Sequence, residues 1–292
     1  MGVFTSTRKI ICENSRGFKL EFGYSFPFFL KDYSGIHEYS GTVSTVKSAF
    51  GVGEIYVGTS VNSRNISLIV ALKDDILLQQ RRNQIYNIFP LNDKGILYFY
   101  EGKLERKINY YVENIAPVRV GNHIYFTVSL KCPNPYFSDT KESIVTLNNW
   151  NKLLEFPLEI IDDTGLEFGT KNENTTLEIN NNSHINYGLT VVFTANGKVI
   201  NPCLTNKLTG ETMKINYTLS ANEKIVIKTY IDEKSIVHIN QNGNETDIIN
   251  FLVFGTKFLQ AINGNNRFIS SADSGQENLD TSISFYNYYE AI

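Results

Sequence analysis

The chain has 292 residues, 42% of them hydrophobic, which supplies apolar surface for two cores of common domain size. Its 27 Lys/Arg and 30 Asp/Glu leave a formal net charge of −3; no run approaches the roughly 18–20 apolar residues of a membrane span, and no basic region leads into an apolar signal segment. Composition thus argues against a membrane-spanning helix and predicts a soluble, unprocessed chain. The charge is uneven: residues 1–137 hold 16 Lys/Arg against 11 Asp/Glu, and the remainder 11 against 19. A surplus of that size, without a Lys/Arg cluster, falls short of the footprint of a strong nucleic-acid binder.

Short strands are expected at Arg8–Glu13, Lys19–Gly23 and Thr42–Phe50, interrupted by Gly35, Gly41, Gly51 and Gly53. The segment Phe26-Pro27-Phe28-Phe29-Leu30 between them is unusually apolar. After a strand at Asn65–Leu72, Lys73–Phe89 carries an apolar stripe, Leu78, Ile85 and Phe89, at helical spacing. Asp74 or Asp75 can cap its start by accepting unpaired N–H groups, and Pro90 stops it by disfavouring αR at Phe89. Gly95–Tyr100, Arg106–Ile115 and His123–Lys131 read as three successive strands, the last ended by Pro133 and Pro135, which withhold ladder donors. Residues 1–137 are expected as a mainly β domain braced by one helix.

Residues 138–157 are expected as a connector, with a short helix over Leu147–Phe156 that carries Trp150, Leu153 and Leu154. Leu158–Ile161 opens a second domain, 158–292, whose pattern is β throughout: Thr176–Asn180, Leu189–Ala195, Met213–Tyr217, Lys224–Thr229, Ile236–Asn240, Asn250–Phe254, Arg267–Ser271 and Ser282–Tyr288. Asn196-Gly197, between Val191-Val192-Phe193 and Lys198-Val199-Ile200, predicts a two-residue hairpin because both residues tolerate positive φ. Many short strands with such turns predict an antiparallel sandwich or jelly roll.

The chemistry-bearing residues are dispersed, and no catalytic, cofactor-binding or metal residue is assigned. His37, His123, His184 and His238 show no HxxxH or HExxH spacing. Asp162-Asp163 and Asp74-Asp75 are adjacent carboxylates, which on a strand face opposite ways and cannot flank one bond. Gly51-Val52-Gly53 has Tyr56 where a phosphate-cradling loop needs its third glycine. Cys12, Cys132 and Cys203 form no CxxC pair and are expected as buried free thiols. A sugar site in the second domain would want aromatic platforms; the candidates, Phe285, Tyr286, Tyr288 and Tyr289, alternate poorly and serve packing or an interface equally well.

An ordered set of segments carries a family resemblance. It comprises Arg64-Asn65-Ile66-Ser67-Leu68, the helix with Arg81-Arg82, the Pro90 break, Lys94-Gly95-Ile96-Leu97-Tyr98, Arg106-Lys107-Ile108 and Leu130-Lys131-Cys132-Pro133-Asn134-Pro135-Tyr136-Phe137. In the second half it continues through Asn174–Ile179, Asn186-Tyr187-Gly188, Ile200-Asn201-Pro202, Asn206–Glu211 and Phe258-Leu259 through Gly264-Asn265-Asn266. In these the chain resembles the distal tail protein (Dit) family of long-tailed phages, the siphovirus-type tail components. The resemblance implies an N-terminal β-sandwich or split-barrel domain with one packed helix, followed by a galectin-like antiparallel β-sandwich of jelly-roll type.

It also implies a function without catalytic residues or cofactor: a structural hub at a tail tip or baseplate, built as a hexameric ring from the first domain. Implied partners are further copies of the chain, the tail tube protein, the tape measure protein and a tail-associated hub or lysin protein, with a receptor-binding protein as an optional addition. The resemblance further implies that DNA passes only through the lumen, that no membrane is involved, and that assembly takes place in the bacterial host cytoplasm. The dispersed positive balance of residues 1–137 agrees with a ring that must not grip passing phosphates. The alternative reading is a carbohydrate-binding adhesin that recognises host wall polymers through the second domain. Galectin's sugar-reading His and Arg are missing beside Asn201-Pro202.

Overall fold

The computed structural model describes residues 8–48, 51–73, 75–147, 150–152, 169–171, 176–183 and 185–292. The chain forms two compact units: one runs to Thr140 and takes in Tyr288–Ile292, and the other is Lys141–Asn287. The final five residues therefore join the first unit rather than the second domain to which the sequence reading assigned them. Among the described residues, no helix is long and apolar enough to cross a membrane.

Unit 1 is an antiparallel sheet in the order β2-β1-β7-β8-β9-β6-β3. Its strands are β1 (Arg8–Glu13), β2 (Lys19–Phe22), β3 (Phe29–Ser34), β6 (Arg64–Lys73), β7 (Lys94–Glu101), β8 (Leu104–Val120) and β9 (His123–Cys132). Among the described residues the strands β4 (Gly41–Lys47) and β5 (Glu54–Val61) pair only with each other, and β10 (Phe137–Asp139) pairs with β8. Strict alternation buries one face: Ile124, Phe126, Val128 and Leu130 of β9 meet Ile66, Leu68, Val70 and Leu72 of β6 in register. The Phe26–Leu30 segment divides, with Phe28 buried edge-on against Phe22 and Phe26 left exposed, stacked on Phe29 and His123.

The helix α1 spans Leu78–Ile88, five residues later than Lys73. Lys73 is still β6, paired with His123, and residues 75–77 are spent in a turn. Asp75 does not cap the helix but closes the turn before it: its Oδ1 accepts the N–H of Leu77, which precedes the first helical residue, and its Oδ2 holds the Arg81 Nη1 at 2.8 Å. Asp74 lies outside the described residues. Ile85, Ile88 and Phe89 are buried while Leu78 is only half-buried, so the stripe is core with one frayed end. Phe89 stacks on Phe22 at 5.9 Å, and burying one such ring stabilises by about 1.5–3 kcal/mol.

Cys12 and Cys132 sit in this core beside Tyr110 and are free. Burial pushes the Cys132 thiol up to about 12, and Cys12 also upward. An unfolded thiol releases its proton near ~8.5, so between that pH and 12 the native state holds more protons and loses stability as pH rises. The urea midpoint should therefore fall through this window, and fall less steeply in Cys132→Ala. Cys203 is only half-buried, contrary to the sequence expectation, so a thiol reagent should label it alone in the native chain.

Unit 2 is a sandwich of a six-stranded and a four-stranded antiparallel sheet. The larger runs Ser143–Leu147, Leu279–Phe285, Thr190–Ala195, Lys224–Tyr230, Glu233–Ile239, Glu245–Asp247. The smaller runs Thr176–Asn181, Gly264–Ser271, Cys203–Asn206, Thr212–Lys214. Three expectations fail here. The expected connector helix is instead strand at Trp150–Lys152, paired with Gly169–Lys171, and Ser143–Leu147 is already a sheet strand because it completes the edge beside Leu279–Phe285. Leu153–Phe156 and Leu158–Ile161 lie outside the described residues.

Asn196-Gly197 closes no hairpin. Thr190–Ala195 pairs with Leu279–Phe285 and Lys224–Tyr230, whereas Val199–Ile200 pairs with Thr218–Leu219. The turn is held from outside, since the Asn196 N–H donates to the Asn278 carbonyl and its side chain to Asp280 at 2.7 Å. Asn250–Phe254 is not a strand; Ile249–Phe251 is a 3₁₀ turn started by the Asp247 carboxylate, which accepts the Ile249 N–H.

Candidate assembly surface

Two features of unit 1 leave apolar surface or strand edge open. The first is the β4–β5 ribbon, whose β-branched alternation, Thr42-Val43-Ser44-Thr45-Val46, makes strand the preferred state. Gly51 and Gly53, the latter at φ 89°, lie in the connection between the two strands, which assigns a turn role to the Gly-Val-Gly segment. Pairing runs from Gly41↔Val61 to Lys47↔Glu54 with one bulge after Ser44. That register places Val43, Tyr56 and Val61 on one face and Val46 and Ile55 on the other.

All five are exposed, from 42% for Val61 to 64% for Tyr56. A two-stranded ribbon alone is marginal in water, and its open edges are templates for another strand. Apolar side chains on both faces call for a covering surface on each.

The second feature is a bare strand edge. β8 follows β7 only as far as Tyr111, opposite Lys94, but follows β9 to Val120. Among the described residues no strand continues the β7 side from Val112 to Val120. Val118 and Val120 are exposed there, and Pro117, Glu113 and Arg119 limit what can pair by removing a donor or adding charge.

A buried arginine ties together other segments of unit 1. Arg64 begins β6 and is 4% exposed. Its Nε donates to the Pro135 carbonyl at 2.8 Å, and its Nη1 to those of Gly35 at 2.9 Å, Ile36 at 2.8 Å and Glu38. Nη2 donates to the Glu290 carbonyl, and the guanidinium lies 4.9 Å from the Phe137 ring centroid. Burial draws its pKa down from the ordinary value, yet an arginine stays charged, so oriented peptide dipoles solvate the cation. Gly35 makes this possible: at φ 80° it passes so close to β6 that a Cβ would lie 1.9 Å from the Asn65 carbonyl oxygen. Two motif segments seventy residues apart, at Arg64 and at Pro135–Phe137, thus meet in one structure.

The dispersed titratable residues stay dispersed. His37 is exposed between the Tyr33 hydroxyl and the Ile292 carbonyl oxygen, and His123 is stacked on Phe26 and meets Tyr125 edge-on. His238 is buried 3.3 Å from the Tyr217 hydroxyl and 3.4 Å from Glu223. His184 and Asp162-Asp163 lie outside the described residues. Among the described residues no three His, Cys, Asp or Glu converge on a metal position. In unit 2, Lys214 and, second to it, Asn201 at φ 54° donate to the exposed Asp273 carboxylate and hold its pKa below the usual range. Phe285 is buried against Tyr187 at 5.6 Å, Tyr288 and Tyr289 pair with β10 in unit 1, and Tyr286 is half-buried.

Residues 15–132 match the sequence model of the phage tail protein RIFT-related domain. No curated protein sequence matches the chain. In fold it is similar to the crystal structure of SPP1 Dit, described as a hub of the adsorption apparatus in phages infecting Gram-positive bacteria. The TM-score is 0.68 at 12% identity, over 96% of this chain and 99% of that one. It is also similar to a chain of the phage P2 baseplate in its activated conformation, with TM-score 0.61 at 9% identity over 98% and 99%. The resemblance to distal tail proteins is borne out by the domain match in the first half and by the fold over nearly the whole length, and so is the mainly β architecture, with a single α-helix among the described residues.

Proposed function

We propose that this chain, which carries a phage tail RIFT-related domain over residues 15–132, is a non-enzymatic hub of a phage or phage-like tail tip or baseplate. Unit 1 closes into a hexameric ring that joins the tail tube to distal components, with the tape measure protein, a hub or lysin protein and a receptor-binding protein as further partners. Unit 2 faces other tail-tip proteins, and DNA only passes through the lumen. The observation that carries this reading is the β4–β5 ribbon, exposed and apolar on both faces. A ribbon and a bare β8 edge are dissimilar surfaces on one unit, the arrangement that head-to-tail contacts need to close a ring.

The test is direct. Val43→Lys/Tyr56→Lys adds charge to one ribbon face that is open in the protomer, so protomer stability should change by no more than about 0.5 kcal/mol. Ring images in electron micrographs should disappear, and particles made with the variant should lack ordered tips. Absence of the wild-type protein from the tips of intact particles would refute the reading. Against the adhesin alternative stands the packing of Phe285 on Tyr187 and the pairing of Tyr288 and Tyr289 with β10, which occupies three of its four candidate aromatics.

A further inference from the structure

Unit 1 is completed by a strap that leaves and returns. Tyr288 and Tyr289 pair antiparallel with Ser138 and Phe137 on β10, beside the point where the chain exits toward Lys141. Arg106 lies over the Tyr289 ring, 3.8 Å from its centroid, and is itself fixed by Asp139 at 2.9 Å. The Glu290 carbonyl accepts from Arg64, and its carboxylate accepts from the Tyr39 hydroxyl at 3.1 Å. His37 Nδ1 contacts the Ile292 carbonyl oxygen at 2.6 Å, and the Tyr289 and Ile292 side chains pack on the unit 1 core. A strand edge, a cation over an aromatic ring, a phenol for a carboxylate and an apolar seat together make up strand-addition peptide recognition.

We propose that unit 1 contains a receiving site for a short extended peptide of the class aromatic–acidic–small–aliphatic, filled in this chain by its own Tyr289–Ile292. The floor, Arg64, Arg106, Tyr39 and His37 with β10, comes wholly from the segments before Thr140, so the site recognises the peptide whether or not residues 141–287 connect the two. In the intact chain the tether keeps the strap at high effective concentration, which shuts out a free peptide. The inference does not depend on what unit 1 assembles into.

The experiment uses the otherwise full chain ended after Asn287 and a dye-labelled Tyr-Tyr-Glu-Ala-Ile peptide, read by fluorescence anisotropy. Saturable binding is expected to the shortened chain and none to the intact one. Replacing the second tyrosine of the peptide by alanine should weaken binding by about tenfold, the order of one desolvated cation–π contact. Because the shortened chain can fail to fold, Tyr289→Ala in the intact chain provides a second arm. It should speed hydrogen exchange at Phe137–Asp139 and admit the labelled peptide. A folded shortened chain that ignores the peptide, or a Tyr289→Ala chain with unchanged exchange at those amides, overturns the proposal.

Discussion

Arg64→Met should destabilise unit 1 by about 3–5 kcal/mol, more than any surface change in the same unit. Methionine fills much of the volume and removes the buried charge, so the desolvation cost of the cation disappears with it. What remains is worse: the carbonyls of Pro135, Gly35, Ile36, Glu38 and Glu290 lose their shared donor inside the fold. An unpartnered buried carbonyl costs about 1–3 kcal/mol, and relaxation with water entry recovers part of that total. Arg64→Lys should fall between, since an ammonium offers three donors on one atom and cannot span acceptors on several sides. Calorimetry is the measurement, because a chain of two compact units need not unfold in one step. The transition of unit 1 should move down while that of unit 2 stays within a degree or two.

Asn266→Ala should do the converse and lower the unit 2 transition by about 3–4 kcal/mol. Asn266 is fully buried, with its Nδ2 donating to the carbonyls of Ile262 at 2.7 Å, Gly264 at 3.0 Å and Ile179 at 3.4 Å. Its Oδ1 accepts the Ile262 N–H at 3.1 Å and the Asn206 Nδ2 at 3.0 Å. Alanine deletes the amide and leaves Asn206, itself 1% exposed, with a donor and no acceptor. Asn266→Asp keeps the shape but turns an oxygen toward carbonyl oxygens, so it should be no milder. If either change leaves the unit 2 transition in place, the side-chain network is not what fixes the 262–266 turn.

The parts of the fold legible in the sequence are those where local pattern and tertiary demand agree. β9 alternates in the sequence because one face is buried, β6 and β7 are rich in strand-forming residues, and all three are readable to within a residue or two. The helix was readable as to type, but not where it begins, since that was decided by Lys73 pairing with His123 across the sheet. Asn196-Gly197 misled because turn chemistry shows that the chain can reverse, not that the flanking strands will pair; the strand at Leu279–Phe285 competes for the same edge and wins.

The assembly surface was half visible. The strand at Thr42 was expected, but its partner β5 was not, because Glu54–Val61 is broken by Gly58 and has no buried face to impose a period. Arg64 and the Pro135–Phe137 segment were both singled out, yet nothing in the spacing said that one is the hydrogen-bond donor of the other.

The strap also sets a clock. Glu290 is made after all of Lys141–Asn287, so a growing chain must display β10, Arg64 and Arg106 without their final partner until unit 2 has been synthesised. At roughly 5–20 residues per second that interval lasts on the order of ten to thirty seconds. Any partner that requires a finished unit 1 is held off until translation of unit 2 is over, so the order of residues in the chain acts as a timer on assembly.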